Sequence, residues 1–566
     1  MQKLKVQLKN KKLLIFIVLL LFTFPSIFAL LHSGLSPTHD GEYHIIRFYE
    51  FDKAIRDGNW YPRWAMDLNN AYGIPLFDFV YPFPNYAASF FHALGASFID
   101  SFKIGLLIAT LLSVFFFYLW ARLFFDRLAS FTAALVYAYA PYRFVDIYVR
   151  GSVGEVWALA WFPAYLWAIT LFVQKSAKGR SQPKAEKKIV FFVLASFFFA
   201  LTIFSHNILA VMFAAFGVIY LIFLLWLYQP NKKIILFSFG AFLLGIGLSA
   251  IFWLPALVEK HFVTGLKLYN IKEHFAEIYQ LLIPSWGTGF SANEIGNQMS
   301  LQIGIVNLVV VIIGFIFLIR FRKKMTKQTL LLSFFLAWFL LIVFLMMRIS
   351  SPVWDHLPLL PYFQFPWRFL SLLIIVCAFL AGIIIDLIKG RKRKIIMSIL
   401  LISSAILVTL SYAKPAYYHE RDDTYYLSRD NFIHGTNSPG NLFQTIWFKG
   451  SLPLQKKRIE VVNGKGSIAI KESKTSNVSF IMTNNSSAKV RANIAYFTGW
   501  EVFIDNQKSQ LQRTNDGRMS FSVPQGRHSV LLTFNDTIIR TVGVALSSVS
   551  VFICFGFIGF RKRIHI

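Results

Sequence analysis

The chain has 566 residues, 56% of them hydrophobic, and a mean hydropathy of +0.54. Stretches long enough to cross about 30 Å of hydrocarbon recur along it, which excludes a soluble globular protein. Alternate loops and the two ends hold 28 of the 57 Lys and Arg residues, opposed only by Asp126 and Glu186, and account for nearly all of the +29 net charge. This positive-inside pattern excludes a nucleic-acid footprint and predicts cytoplasmic termini.

The hydropathy pattern predicts a polytopic α-helical protein of the plasma membrane with about twelve spans. The first span is expected to remain as an anchor, because no small-residue cleavage site follows it. Cys377 and Cys554 both fall inside predicted spans, which excludes an external disulfide and a cysteine-based metal site. The predicted spans lie near 13–31, 102–124, 128–141, 153–173, 188–204, 206–228, 234–255, 300–320, 329–347, 368–388, 394–412 and 538–560.

A cluster of ionisable residues follows the first span, at the start of the external segment 32–101. The motif contains His39, Asp40, Glu42 and His44 within six residues. Ionisable groups at a bilayer boundary cost free energy unless they bind something, so the motif is a candidate functional site. Asp40 could instead cap the following helix. That helix is predicted to lie on the membrane surface, followed by a proline- and aromatic-rich stretch at headgroup depth.

Four charged residues fall between two apolar helices in the second external segment, namely Arg143, Asp146, Arg150 and Glu155. A structural role is open for each: Asp146 could pair with Arg143 or Arg150, and Glu155 could favour the dipole at a helix start. Later segments add His206, which could be a turn residue or line a cavity, and Arg368 at a helix mouth. Arg368 could bind phosphate or reach toward lipid headgroups.

The last external segment, about 413–537, is predicted to be an extracytoplasmic β-rich domain, most simply a β-sandwich. It separates the transmembrane part, 1–412, from a final helix and basic tail over 538–566. Alternating hydrophobicity and turn residues such as Asn463-Gly464 define its strands. They are predicted at Ile459–Val462, Ser467–Lys471, Val478–Thr483, Lys489–Tyr496, Glu501–Ile504, Met519–Val523 and Ser529–Phe534.

No soluble-enzyme motif occurs, so a site would have to be assembled from the external loops. Transfer of a sugar from a lipid phosphate needs a carboxylate that accepts the proton of the attacking hydroxyl or holds a divalent cation. It also needs cations near the leaving phosphate, and the planar guanidinium of arginine suits phosphate oxygens. Asp40 and Asp146 supply candidate carboxylates, and Arg143, Arg150 and Arg368 candidate cations.

Several motifs together resemble the GT-C superfamily of polyprenyl-phosphate-sugar-dependent glycosyltransferases. They are Thr38-His39-Asp40-Gly41 followed by an arginine, Gly58-Asn59-Trp60 and Gly73-Ile74-Pro75-Leu76-Phe77. More narrowly, the chain resembles the bacterial membrane proteins labelled 6-pyruvoyl-tetrahydropterin synthase-related, which are related to the YfhO-like group. The narrower resemblance rests on Pro141-Tyr142-Arg143, Tyr148-Val149-Arg150-Gly151, Ser205-His206-Asn207, Gln364-Phe365-Pro366-Trp367-Arg368, Tyr496-Phe497-Thr498-Gly499-Trp500 and Pro524-x-Gly526-x-His528.

The resemblance implies a GT-C-like fold and an inverting glycosyltransferase with Asp40 and Asp146 as catalytic residues. The implied donor is a polyprenyl-phosphate-linked sugar, which would be embedded among the membrane lipids. The implied acceptor is an extracytoplasmic glycan, lipid or protein. Mg²⁺ or Mn²⁺, held by Asp40 and Asp146, is a possible cofactor. The expected substrate-binding residues are Glu42, His44, Arg143, Arg150, Glu155, His206 and Arg368.

The first loop departs from the paired acidic motif of some superfamily members, because it reads Asp40-Gly41-Glu42. If Glu42 points away from Asp40, a direct base role is favoured over metal binding. Pterin synthase chemistry is excluded, because the chain has neither the matching histidine cluster nor a cysteine outside its spans.

A non-catalytic envelope transporter or scaffold is the competing class. A transporter predicts polar residues deep within the spans, and few occur besides Asp386 near the cytoplasmic end of its helix. No convincing internal repeat suggests an inverted-repeat transporter either. These observations favour an enzyme that acts at the membrane surface.

Overall fold

The computed structural model describes residues 2–176, 185–265, 270–291, 297–323, 326–428, 442–450 and 452–561. Residues 562–566 of the predicted basic tail and 429–441 of the predicted β-rich segment lie outside this description. The α-helices are α1 Gln2–Thr23, α2 Gly41–Arg56, α3 Leu76–Phe79, α4 Phe83–Ala93, α5 Phe98–Ala121, α6 Arg127–Ala138, α7 Pro141–Phe144, α8 Val153–Lys175, α9 Ala185–Ser205, α10 Asn207–Tyr228, α11 Lys232–Leu248, α12 Ala250–Glu259, α13 Ile278–Leu282, α14 Ile305–Phe321, α15 Lys327–Met346, α16 Ser351–His356, α17 Leu370–Leu387, α18 Arg391–Thr409, α19 Asp423–Tyr426 and α20 Ile538–Gly559.

The predicted polytopic helical fold is confirmed, and every predicted span coincides with a helix. Among the described residues, eight helices are long and apolar enough to cross a membrane. The pair α11 and α12 would form a ninth span, bent by 67°. The remaining predicted spans correspond to α6, α14 and the apolar half of α1, which are shorter. α8 and α17 form the centre of the bundle, since 83% and 89% of their apolar windows are buried.

Short polar residues fix where these apolar helices begin. The side chains of Ser97, Asp126, Asn231, Thr326 and Thr537 each accept a hydrogen bond from the backbone N–H three residues later. Such N-caps satisfy donors that a helix start would otherwise leave without partners in an apolar environment. The carboxylate of Asp423, in α19, adds two more bonds at the start of α5 by accepting from Phe98 and Ile99 N–H.

The first external segment is packed inside the protein, contrary to the prediction that it lies on the membrane surface. α2 buries residues on several faces, including Ile45, Phe48 and Phe51. Trp64, predicted at headgroup depth, is only 1% exposed and packs against Trp500 with ring centroids 5.6 Å apart. Trp64, Tyr72 and Phe79 therefore form a shared core with the β-sheets, whereas Trp60 is 77% exposed.

Two antiparallel sheets form the predicted β-domain. One has strand order β1-β4-β8-β7 and the other β2-β3-β9-β5-β6. Apolar side chains of both sheets share one core, as in a sandwich. All seven predicted strands are confirmed, and two short ones, β6 and β7, were not predicted. The strands are β1 Ile459–Asn463, β2 Gly466–Ser473, β3 Asn477–Asn484, β4 Ala488–Ala495, β5 Trp500–Ile504, β6 Gln507–Ser509, β7 Gln512–Arg513, β8 Arg518–Val523 and β9 Gly526–Phe534.

A buried ion network ties the first external segment to the end of α12 and the start of α20. Asp78 is fully buried and accepts hydrogen bonds from Arg63 Nη1 at 2.7 Å and Arg540 Nη2 at 2.9 Å. Arg540 also donates to Glu259 Oε2 at 2.8 Å. Because all four groups are buried, each charge depends on its partners for compensation.

We expect Asp78→Ala to lower the free energy of unfolding by about 3–5 kcal/mol, because it leaves Arg63 and Arg540 without their shared carboxylate. Asp536→Ala is the matched control, since Asp536 also pairs with Arg63 but its side chain is 47% exposed. Its loss should be about 0–1 kcal/mol. Denaturant titration of the purified protein in detergent measures both, and equal losses would contradict the assigned importance of the buried network.

Candidate functional site

The backbone of His39 and Asp40 pairs with the segment that follows α7. His39 N–H donates to Val149 O at 3.0 Å, and Asp40 N–H donates to Arg150 O at 2.9 Å. Thr38 fills the space between the two segments, where a Cβ on Gly151 would lie 2.3 Å from Thr38 Oγ1. Gly151 also has a φ of +63°, which favours glycine. The first and second external segments are thus joined at the position of Asp40.

The Asp40 side chain does not cap α2, contrary to one of the two roles that the sequence allowed. Thr38 Oγ1 accepts the hydrogen bond from Gly41 N–H at 3.0 Å, whereas the Asp40 carboxylate makes no capping bond. Asp40 instead lines a cavity of about 1150 Å³. Among the described residues that line this cavity, Asp40 is the one carboxylate. The carboxylate is therefore available to a ligand.

The cavity is polar at one end and apolar at the other. Around Asp40 it is lined by Arg47, Arg150, His206 and Arg368. Apolar side chains of α9, α10, α11 and α12 line most of the rest, including Val211, which is 47% exposed, and Leu257, which is 55% exposed, while Lys260 and His261 follow α12 in the lining. The apolar end therefore opens on the apolar outer surface of the helices. The apolar side chains are Phe199, Ile203, Val211, Ala214, Phe242, Ile246, Trp253 and Leu257.

Glu155 organises the polar end from behind the cavity wall. Its side chain is fully buried in the first turn of α8 and contacts both nitrogen ends of the Arg150 guanidinium, at 2.6 Å and 2.8 Å. Arg368 Nε lies 3.3 Å from Glu155 Oε1, and His206 Nε2 lies 3.8 Å from the same oxygen. Tyr142 donates to the other carboxylate oxygen at 3.2 Å.

Asp146 lies in the same network and does not line the cavity. Its Oδ1 accepts from Arg150 Nη1 at 2.6 Å, its side chain has no exposed surface, and its Oδ2 has no hydrogen-bond partner among the described residues. Burial and the nearby Glu155 carboxylate raise the pKa of Asp146 well above its usual value. Of the two alternatives from the sequence, the structure places Asp146 in an ion pair with Arg150.

Three residues assigned to substrate binding do not line the cavity, namely Glu155 behind its wall and two that lie farther away. Glu42 is on the exposed face of α2 and does not line it. Arg143 is buried in the other direction, where it donates to Ser113 Oγ at 2.8 Å and stacks on Tyr137. The structure therefore brings five of the assigned residues to the cavity wall. They are Asp40, His44, Arg150, His206 and Arg368.

A divalent cation does not fit the residues predicted to hold it. Asp146 is enclosed and paired with Arg150, while Glu42 is exposed and does not line the cavity. Within the described ranges, no group of three or more His, Cys, Asp or Glu side chains is arranged to hold a metal. Asp40 alone would offer one carboxylate, so a Mg²⁺ or Mn²⁺ ion there would take its remaining ligands from water and from phosphate oxygens of a substrate.

The histidines of the site are held neutral. Burial lowers the pKa of His206 to about 3, and the same cause, with the charge of Arg47, lowers the pKa of His44 well below its usual value. His206 Nδ1 accepts the hydrogen bond of Leu209 N–H at 3.2 Å and so caps α10. Burial also lowers the pKa of His39, although its ring donates to Thr288 O at 2.9 Å.

Sequence reasoning gave no role to several residues that line the polar end. Arg47 lies on α2 seven residues after Asp40, which is two helical turns and the same face. That periodicity was the signal that could have identified it. Tyr81 stacks on His206, and Trp367 lies under the Arg150 guanidinium at 4.9 Å. No local pattern distinguishes these rings from the many other aromatic residues of the chain.

The model of the family described as the 6-pyruvoyl-tetrahydropterin synthase related domain, a membrane protein family, matches residues 77–416. No curated protein matches the sequence at a significant level. Among solved structures, the arabinofuranosyltransferase AftD from Mycobacteria aligns with a TM-score of 0.44 and 15% identity, over 72% of this chain and 27% of AftD. The chain thus spans about a quarter of the length of AftD.

Two further solved structures align with lower similarity. The apo oligosaccharyltransferase of Archaeoglobus fulgidus aligns with a TM-score of 0.43 and 12% identity, over 71% of this chain and 56% of that enzyme. ArnT from Cupriavidus metallidurans, bound to undecaprenyl phosphate, aligns with a TM-score of 0.36 and 13% identity. That alignment covers 74% of this chain and 68% of ArnT.

Gly151→Ala should disturb the contact that positions Asp40. The new Cβ would meet Thr38 Oγ1, and the alanine would have to keep the positive φ of Gly151, which is unfavourable for it. We therefore expect the free energy of unfolding to fall by about 2–4 kcal/mol. Gly58→Ala is the matched control, because Gly58 also has a positive φ but open space around it, and it should lose only about 1–2 kcal/mol. Denaturant titrations compare the two, and an equal loss would mean that the contact with Thr38 is not tight.

Because His206 is neutral in the folded protein, the free energy of unfolding should decrease as the pH is lowered. Unfolded histidine titrates near pH 6.5, so below that pH the unfolded chain binds a proton that the folded chain does not. This contribution is complete above pH 6.5 and is lost as the pH falls toward about 3. His206→Asn retains an acceptor for Leu209 N–H without titrating. Between pH 6 and 4, wild-type unfolding free energy should fall more steeply than that of the variant, by up to about 1.4 kcal/mol per pH unit. Parallel slopes would contradict a neutral buried His206.

Proposed function

The chain belongs to the 6-pyruvoyl-tetrahydropterin synthase related family of membrane proteins, and we propose that it is an inverting glycosyltransferase with a polyprenyl-phosphate-linked sugar as donor. The observation that carries this proposal is the cavity, whose polar end contains Asp40 and arginines and whose apolar end opens between α9, α10 and α11. The motif Thr38-His39-Asp40-Gly41, which supports the resemblance to GT-C enzymes, lies at that polar end.

The two ends of the cavity fit the two ends of such a donor. A polyprenyl chain needs an apolar channel that it can enter from the bilayer, and the side chains around Val211 and Phe242 provide one. The phosphate and sugar need polar groups, which Asp40 and the arginines near it provide. The volume of about 1150 Å³ matches the larger ligand sites of proteins.

Asp40 acts as the general base in the proposed reaction. It accepts the proton of the acceptor hydroxyl as that oxygen attacks the anomeric carbon, and a new glycosidic C–O bond forms. The bond between the anomeric carbon and the phosphate oxygen breaks on the opposite side, and its electron pair leaves with the polyprenyl phosphate. In this proposal the carboxylate acts directly on the proton, because Asp146, the other predicted metal ligand, does not line the cavity.

Arg150 and Arg368 add positive charge to the cavity wall around the departing phosphate, and this contribution needs no hydrogen bond to it. Both line the cavity, and Glu155 holds both guanidinium groups in fixed positions. Fixed charges in a site that excludes much water act more strongly than mobile ones, because less reorganisation accompanies the reaction.

The proposed orientation places both termini in the cytoplasm and the site outside it. It rests on the excess of Lys and Arg in the loops opposite to the β-domain. The acceptor is accordingly an extracytoplasmic glycan, lipid or protein. A flexible polyprenyl chain inside the bilayer and a polar acceptor outside it would meet at Asp40.

Asp40→Asn should reduce sugar transfer by about 10²–10⁴-fold, because the amide cannot accept the hydroxyl proton. The measurement is transfer from a panel of radiolabelled polyprenyl-phosphate sugars in proteoliposomes, with insertion and unfolding temperature checked for each variant. Glu42→Gln is the control and should retain wild-type transfer, since Glu42 lies on the exposed face of α2. Full activity of a folded Asp40→Asn protein would reject the assignment.

A further inference from the structure

We infer that Arg47 is the residue that hydrogen-bonds the phosphate of the lipid-linked donor, while Arg150 serves to build the cavity wall. This inference rests on the proposed function and identifies which cation its ligand contacts. It follows from how the hydrogen-bond donors of three arginines at the polar end are used.

Arg150 has little capacity left for a ligand. Its Nη1 contacts Asp146 Oδ1, Glu155 Oε2 and the Tyr142 hydroxyl, and its Nη2 donates to Glu155 Oε1. One face of its guanidinium is also covered by the Trp367 ring. A phosphate could replace these partners only by leaving a fully buried carboxylate uncompensated, which is strongly unfavourable.

Arg368 is partly committed in the same way. Its Nη1 donates to Gln364 Oε1 at 2.6 Å and to Phe363 O at 3.2 Å, while its Nε faces Glu155. It keeps a position on the cavity wall and contributes charge there. Its Nη1 donors are thus used by protein acceptors, whereas its Nε is in ion-pair contact with Glu155 without a hydrogen bond among the described residues.

Arg47 differs from both because the described residues leave its donors unused. Its guanidinium makes no hydrogen bond or ion pair within those ranges, and its Nε is buried without a partner. Its one described contact is the Tyr43 ring, 5.9 Å from the guanidinium carbon. A guanidinium presents a planar fork that matches two phosphate oxygens, so Arg47 can receive the phosphate without losing an existing bond.

The position of Arg47 relative to Asp40 suits an inverting transfer. Seven residues separate them on one face of α2, which places their Cα atoms about 10 Å apart along the helix axis. In an inverting reaction the base and the leaving group lie on opposite sides of the reacting carbon. One rigid helix would then hold the base at its start and the phosphate ligand two turns later.

The test compares binding of undecaprenyl phosphate with binding of undecaprenol, which lacks the phosphate, to the full-length protein in nanodiscs. The wild type should bind the phosphate at least about tenfold more tightly, because charge-assisted hydrogen bonds are strong. Arg47→Gln should lose this discrimination while its undecaprenol affinity and unfolding temperature stay unchanged. Arg47→Lys keeps the charge without the fork and should show an intermediate ratio.

Arg56→Gln is the matched control on the same helix, because the Arg56 side chain is 62% exposed and pairs only with Asp52 among the described residues. It should discriminate as the wild type does. Arg150→Gln should lower the unfolding temperature, as expected of a wall residue. If Arg47→Gln retains wild-type discrimination, the inference is overturned and the proposed function stands. If the wild type does not distinguish the two lipids, the proposed function itself fails.

Discussion

The buried carboxylate of Glu155 is the constraint on which the arrangement of the site depends. A carboxylate without exposed surface in an apolar surrounding must be surrounded by compensating donors. Glu155 accepts hydrogen bonds from Arg150 and Tyr142, and Arg368 and the neutral His206 ring lie 3.3 Å and 3.8 Å from it. Its place in the first turn of α8 adds a favourable interaction with the helix dipole. The mouths of three helices are thus held around one charge.

A second buried network holds the first external segment against the helices. Asp78, Arg63, Arg540 and Glu259 connect the first external segment with α12 and α20. The neighbouring Trp64 packs into the core of the β-sheets, so the same segment that carries Asp40 is also held by the β-domain. Ion pairs of this kind add little net stability compared with apolar packing, but each has a defined geometry. They therefore select one position for the long loops, which apolar contacts alone would not fix.

The sequence predicted the helices and strands far better than their relative positions. Apolar length and period-two alternation are local signals, and they sufficed for the spans and for the seven main strands. The residues Asp40, Arg150 and Arg368 could be nominated because ionisable groups at helix mouths are unusual. Whether Asp146 faces a ligand or an arginine depends on contacts between distant segments, which no local pattern contains. The same reason explains why Trp64 was expected at headgroup depth although it packs under the β-sheets.

The two kinds of arginine at the polar end reflect opposite requirements. A cation that holds a wall must have its donors satisfied in the absence of ligand, as Arg150 does through two carboxylates and a hydroxyl. A cation that binds must keep donors available until the ligand arrives, as Arg47 does, because its guanidinium makes no hydrogen bond or ion pair with the described residues. An anion that enters the cavity would supply the acceptors that this guanidinium lacks. A wall-building arginine and a ligand-binding arginine therefore differ in whether their donors are already used.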